Sequence, residues 1–137
     1  VGAQRARRAQ RTRRCALLVP KESDVPMVDA ASRHFWGALL SAGVSIYLYT
    51  RGILHEKTLV FDRAVTVLGS SNLDPRSFRL NYELSVFIAG ESFAAPVVAR
   101  HDADLDEAEP YGLERWRARP LWQRLRDWFW SLLRSQL

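Results

Sequence analysis

Thiols and lysines are scarce in these 137 residues. The single cysteine, Cys15, excludes an internal disulfide and cannot build a cysteine metal cluster. It opens the apolar run "CALLVP", so it reads as a small buried hydrophobe, and it leaves the compartment reducing or undetermined. The only methionine is Met27, and Val1 stands first, so the chain is expected to be the interior-to-end portion of something longer. No apolar run approaches the roughly 20 residues of a bilayer span. Too few apolar residues separate the arginine-rich start from Pro20 to make a signal peptide, and none is expected. Internal repeats and low-complexity linkers are absent as well.

What is present is a globular balance, 47% hydrophobic and 26% charged, long enough for one domain with a real core. The formal charge of +5 and a pI of about 10.0 favour anionic partners: nucleic acid, phospholipid headgroups or small phosphates. The charge is uneven. "RARRAQRTRR" carries six arginines between Arg5 and Arg14, whereas "DADLDEAE" carries five carboxylates between Asp102 and Glu109. A pure DNA binder would more often avoid such an acidic block, unless it faces away. The arginine run reads either as a solvated helix face or as a binder of lipid headgroups or DNA.

Periodicity predicts a short arginine-coated helix over 3–14, a strand at "CALLVP" and a helix from Met27 to Ala42. In that helix Val28, Ala31, Phe35, Leu39 and Ala42 share one face, and Gly43 stops it. Strands follow at "VSIYLYT", at His55 to Phe61, at Val65 to Leu68 after a polar turn around Asp62-Arg63, and at "YELSVFIAG". A helix covers about Glu91 to Glu107, and a last one Pro120 to Arg134. Partial alternation of strands and helices with one close strand pair predicts an α/β fold with a mixed sheet.

The stretch "LHEKTLVFDRAVTVLGSSN" carries the chemistry. Side chains two apart on a strand share a face, so His55 and Lys57 are expected to project together, with Glu56 turned away. Lysine occurs only at 21 and 57 against eighteen arginines, which suggests that position 57 requires a compact ammonium rather than a planar fork. "GSSN" follows the next strand: Gly69 permits a tight turn, and Ser70 and Asn72 offer donors to an anionic oxygen. Glu83, in "NYE", could accept a bond from one imidazole nitrogen and leave the other as a nucleophile. Together these describe a phosphate site in which Lys57, Ser70 and Asn72 hold the oxygens and His55 attacks phosphorus. No metal cluster or cofactor is apparent, so the lysine and the amide-type donors would stabilise the added charge. Each element alone reads as a solvated histidine or an ordinary turn; the combination favours function.

With His55, Lys57, Asp62, Gly69 and Ser70, the stretch matches the His-x-Lys-x4-Asp-x6-Gly-Ser signature and resembles the phospholipase D superfamily. "NLDPRSFRLNYELSV", "SRHFWGALLSAGVSIYLY" and "ERWRARPLWQRL" resemble its cardiolipin synthase branch, over nearly the whole chain from Cys15 onward. The resemblance implies an α/β/α sandwich lobe with a mixed sheet, one half of a two-lobed fold, over 1–115, followed by an amphipathic segment over 116–137. It implies transfer of a phosphatidyl group through a phosphohistidine, with His55 as nucleophile or as leaving-group acid. Lys57 and Asn72, joined by Ser70, would be phosphate ligands, Glu83 the carboxylate that orients the histidine, and Asp62 and Gly69 structural. The implied substrate is an anionic phospholipid. The implied location is the bacterial cytoplasmic membrane, peripheral on its cytoplasmic side.

One departure matters. The family needs two such motifs at one site, and this chain has one: Trp36 and Ala103 stand where a lysine would follow His34 and His101. In-line displacement sets nucleophile and leaving group on opposite sides of phosphorus. A second motif is therefore expected from a missing N-terminal lobe or from a two-fold partner. The dimer case is a homodimeric endonuclease acting on nucleic acid, and a third reading is an inactive fragment that only docks on membranes. Docking would fall to the tail, where Trp122, Trp128, Phe129 and Arg124 are the candidate membrane contacts. Its apolar residues Leu121, Trp122, Leu125, Trp128, Phe129, Leu132 and Leu133 form one face, which fits either a bilayer interface or the domain's own sheet.

Overall fold

The two apolar runs on either side of the first helix start the framework. A computed structural model describes residues 15–22, 33–72, 77 and 80–132 of the protein. Strands β1 (Ala16–Pro20) and β2 (Ser45–Tyr49) lie parallel, with Ala16 opposite Ser45 and Pro20 opposite Tyr49. Parallel neighbours need a crossover, which contains helix α1 (Trp36–Ser41). The α1 stop is the one its glycine predicts. Gly43 takes φ 88°, its N–H donates to the Leu40 carbonyl, and the Val44 N–H reaches back to Leu39; this closure uses a left-handed residue. The arginine run and the first part of the expected helix, including Val28 and Ala31, lie outside the described residues.

Along β2 the alternation is plain: Ile46 and Leu48 are buried while their neighbours are half-buried. With Trp36 they form a core against which Leu17, Val19, Leu39, Val44, Tyr111 and Trp116 pack. Trp36 meets Tyr111 edge to face, centroids 5.1 Å apart. Gly37 makes room for Trp116, since a Cβ there would fall 2.5 Å from the indole ring.

A second sheet is an antiparallel meander of β3 (Thr58–Phe61), β4 (Val65–Gly69) and β5 (Ser85–Ala89), in that order. The β3–β4 turn runs through Asp62 and Arg63 at φ 49° and 58°, closed by the Ala64 N–H on the Phe61 carbonyl at 3.0 Å. Helix α2 (Glu91–Glu107) packs against β2 and against all three strands of the meander, over the fully buried Thr66. Strand β6 (Glu109–Tyr111) then pairs antiparallel with β2, which makes the first sheet mixed, in order β1-β2-β6. Helices α3 (Leu113–Arg117) and α4 (Leu121–Leu132) follow and end the described residues.

The α/β class and the mixed strand pairing agree with the sequence. The strands divide into two three-stranded sheets, and the sequence did not announce β6 and α3. Cys15 is exposed rather than buried. It precedes a strand that is at the edge of the sheet among the described residues, where the backbone is paired through Ser45. The acidic block is answered from within: Asp102 meets Arg63 at 3.6 Å, Asp104 meets Arg100 at 3.0 Å, Glu107 meets Arg51 at 2.6 Å and Glu109 meets Lys21 at 2.5 Å. The tail does not lay its apolar side on a sheet. Leu121, Trp122, Leu125, Trp128, Phe129 and Leu132 are exposed, and the buried residue of α4 is Asp127.

Ile46, 2% exposed at the centre of this core, has no room to relax. Ile46→Ala is expected to cost about 2–5 kcal/mol, read as a lowered urea midpoint by tryptophan fluorescence.

Candidate active site

The site begins where the meander's ladder ends. The Gly69 N–H donates to the Lys57 carbonyl at 3.1 Å, one rung beyond the Thr58–Leu68 pair. The next N–H, that of Ser70, turns to the Leu84 carbonyl at 3.0 Å. Beyond Lys57 the chain therefore has no partner on β4, and the strand expected from His55 starts at Thr58. His55 is exposed and Lys57 half-buried. The Lys57 ammonium folds back to donate to the His55 carbonyl at 3.2 Å, so the two residues are joined by contact rather than by strand alternation.

Gly69 has a reason other than the tight turn expected for it. A Cβ at that position would lie 2.7 Å from the Leu84 carbonyl and 2.8 Å from the Ser85 hydroxyl. The absent methyl lets the start of β5 close on the end of β4. That approach places Ser70 beside Glu83. The Ser70 hydroxyl donates to Glu83 Oε2 and accepts the Leu84 N–H at 3.1 Å, while Asn81 Nδ2 donates to Glu83 Oε1 at 3.3 Å. The Ser70 bond, opposed by burial and joined by Asn81, Ser77 and the Lys57 charge, holds the Glu83 carboxyl below its ordinary range. Glu83 is thus an ionised carboxylate within the field of Lys57.

These contacts define the surroundings of two expected site residues, Ser70 and Glu83. Among the described residues the hydrogen-bond partners of the Glu83 carboxylate include Ser70 and Asn81 and not the His55 imidazole. Asn72 follows two residues later, exposed, with its N–H on the Ser77 hydroxyl at 3.2 Å. Asp62 lies at the other end of the hairpin, about 16 Å along the strand from Lys57 at roughly 3.3 Å per residue, and serves the left-handed turn.

Sequence reasoning missed Asn81 and a further pair. Glu56, between His55 and Lys57, meets His101 of α2 at 3.1 Å. Burial raises the Glu56 carboxyl, but bonds from Thr58 and His101 and the charges of His101 and Arg100 outweigh it, and the net shift is downward. The partner of Glu56 lies 45 residues on and was not legible in the sequence.

The family described as "Cardiolipin synthase, PLD-like domain" matches residues 4–105. The chain belongs to that family. Its similarity to cardiolipin synthase A of Yersinia pseudotuberculosis (serotype O:1b, strain IP 31758) and of Yersinia pestis (bv. Antiqua, strain Angola) is 39% identity over 119 residues, 87% of this chain and 24% of each relative. The chain thus spans about a quarter of the length of these curated relatives. A crystal structure of phosphatidylserine synthase from Haemophilus influenzae Rd KW20 superposes with a TM-score of 0.53 at 16% identity, covering 93% of this chain and 36% of that one. This likeness places the fold.

Two outcomes are expected from this geometry. Gly69→Ala should lower stability by about 1–3 kcal/mol through overpacking against Leu84 and Ser85, measured by thermal or urea unfolding. Glu56, its carboxyl lowered by folding, stabilises the fold above its ordinary value of 4.5 and yields that contribution as pH falls through the lowered value. The melting-temperature gap between the native chain and Glu56→Gln should therefore be largest near neutrality and narrow below about pH 4.5.

Proposed function

We propose that this lobe carries half of a phosphatidyltransferase site, acting on phospholipid phosphodiesters by a ping-pong route through a phosphohistidine. The observation that carries the reading is the Lys57 ammonium on the His55 carbonyl, with Gly69 on the same rung and the Ser70–Glu83 pair next to it. An imidazole nitrogen of His55 attacks phosphorus, forming a P–N bond as the ester P–O bond breaks, and the leaving oxygen takes a proton from a second histidine. An acceptor hydroxyl, such as that of phosphatidylglycerol, then returns its proton to that histidine. Its oxygen displaces His55, closing a new P–O bond and freeing the imidazole. His55 serves equally as the acid if the other histidine is the nucleophile. Lys57 and Asn72, joined by Ser70, bind the non-bridging oxygens, and Glu83 is the carboxylate that orients the histidine.

The second histidine comes from another lobe. The single motif supports this, and so does the meander. The alternation that begins at Lys57 continues through Leu59 and Phe61 on β3, and Phe87 on β5 shares their face with Val67 of β4 between. Leu59, Phe61 and Phe87 are 52%, 54% and 72% exposed, on the face opposite the fully buried Thr66. An apolar face beside the reacting groups fits a covering lobe. The location that goes with this function is the cytoplasmic face of the bacterial cytoplasmic membrane.

One observation favours a second reading, a homodimeric endonuclease. Four carboxylates of the acidic block are paired internally, and the net charge of +5 suits a polyanion. Cleavage of DNA that falls steeply with salt and follows dimer concentration would select it.

The test is phosphatidyl transfer between phosphatidylglycerol molecules in vesicles, by the chain alone over a concentration series and after co-expression with a lobe carrying the other motif. His55→Ala in the active assembly should cut turnover at least ~10³-fold with the melting temperature unchanged. Turnover surviving that substitution would remove His55 from the reaction.

A further inference from the structure

Helix α4 is attached with its polar side inward. At about 100° per residue, Leu121, Trp122, Leu125, Trp128, Phe129 and Leu132 occupy one arc about 120° wide, and every one of them is more than half exposed. On the opposite side lie Gln123 and Trp130, half-buried, and Asp127, 2% exposed. An amphipathic helix that packs on its own domain does the reverse.

An ion pair fixes this orientation. Arg119 Nη1 donates to Asp127 Oδ2 at 2.6 Å, and Arg126 Nη2 donates to Asp127 Oδ1 at 3.2 Å. The Arg119 and Asp127 side chains are 10% and 3% exposed. Arg119 also lies over the Trp116 ring at 4.3 Å and donates to the Trp116 carbonyl at 2.9 Å, and Trp116 packs against Gly37 and the core. The connection therefore runs from core to Trp116 to Arg119 to Asp127. A buried pair of this kind contributes little net stability against apolar packing, but losing either partner strands the other charge, so it dictates which side of α4 faces the body.

The outward arc has the composition of a lipid interface. Its two indoles suit the headgroup level. The exposed Arg124 and Arg126 flank it on both edges, about 40° beyond its limits, where long cationic side chains keep their stems apolar and their heads in water. Pairing α4 with a second copy of itself would instead bring like charges together along both edges.

We propose that α4 docks the protein on an anionic bilayer through this arc, with the Arg119–Asp127 pair as the device that turns the arc outward. The proposal rests on the phospholipid reading of the site only in choosing a bilayer over a protein as the occupant. Residues 121–132 lie beyond the family match, which ends at 105.

The test uses the 137-residue chain with vesicles of phosphatidylglycerol and phosphatidylcholine, and of phosphatidylcholine alone. The chain should sediment with the anionic vesicles, and binding should weaken with salt. Leu125→Ser with Phe129→Ser should lower partitioning at least ~10-fold, with circular dichroism and melting unchanged because both positions are exposed. Brominated phosphatidylcholine in the anionic vesicles should quench tryptophan emission, and Trp122→Phe with Trp128→Phe should remove most of that quenching, whereas Trp36→Phe should not. Equal binding to neutral vesicles, partitioning unaffected by the Leu125 and Phe129 changes, or quenching unaltered without Trp122 and Trp128 would each overturn the proposal. So would a lipid-independent dimer that the same changes dissolve. Binding is read without turnover, so a chain that docks but transfers nothing sinks the enzymatic reading and leaves this one standing, and the converse holds.

Discussion

A missing methyl group at position 69 is what the site's geometry depends on. Because Gly69 has no Cβ, Leu84 and Ser85 come within 3 Å of where one would be, and three consequences follow together. The last rung of the meander falls on Lys57, Ser70 and Leu84 exchange backbone and hydroxyl bonds, and Glu83 lands against Ser70. Lys57, Ser70, Glu83 and Leu84, each just outside a strand of the meander, thus meet around a position that has no side chain.

Local features of the sequence were legible where local physics decides them. The stop at Gly43, the strand in β2 and the extent of α2 each follow from short-range pattern or from a residue's permitted φ. The motif was legible because its spacing is long and specific. The start of β3 was not, because it depends on where β4 ends, a fact of pairing rather than of residue type. Strand β6 is three residues including a proline, too short to show alternation, and it exists because β2 has a free edge. The partners of Glu83 could not be read either: the sequence offers a carboxylate near a histidine, and the fold supplies a nearer hydroxyl and amide.

The tail shows the same limit. Amphipathicity gives a helix two sides and does not say which one faces in. Here a single carboxylate, caught by Arg119 beside the core, decides. A comparable economy governs the acidic block, which the sequence presents as a repulsive cluster. Lys21, Arg51, Arg63 and Arg100 each answer one member, and the first three fasten α2 and β6 to the segments around them.

The hairpin gives the motif's intervals a mechanical meaning. Lys57 and Gly69 face each other across β3 and β4, and the residues between them are the two strands and their turn. The intervals before and after Asp62 are therefore a ruler that measures one arm of a hairpin against the other. Adding or deleting one residue in either arm would slide Gly69 off Lys57 and present every later side chain to the wrong side of the sheet. Chain length between these positions is thus under the same constraint as the reactive residues themselves, even though no intervening side chain has to touch a substrate.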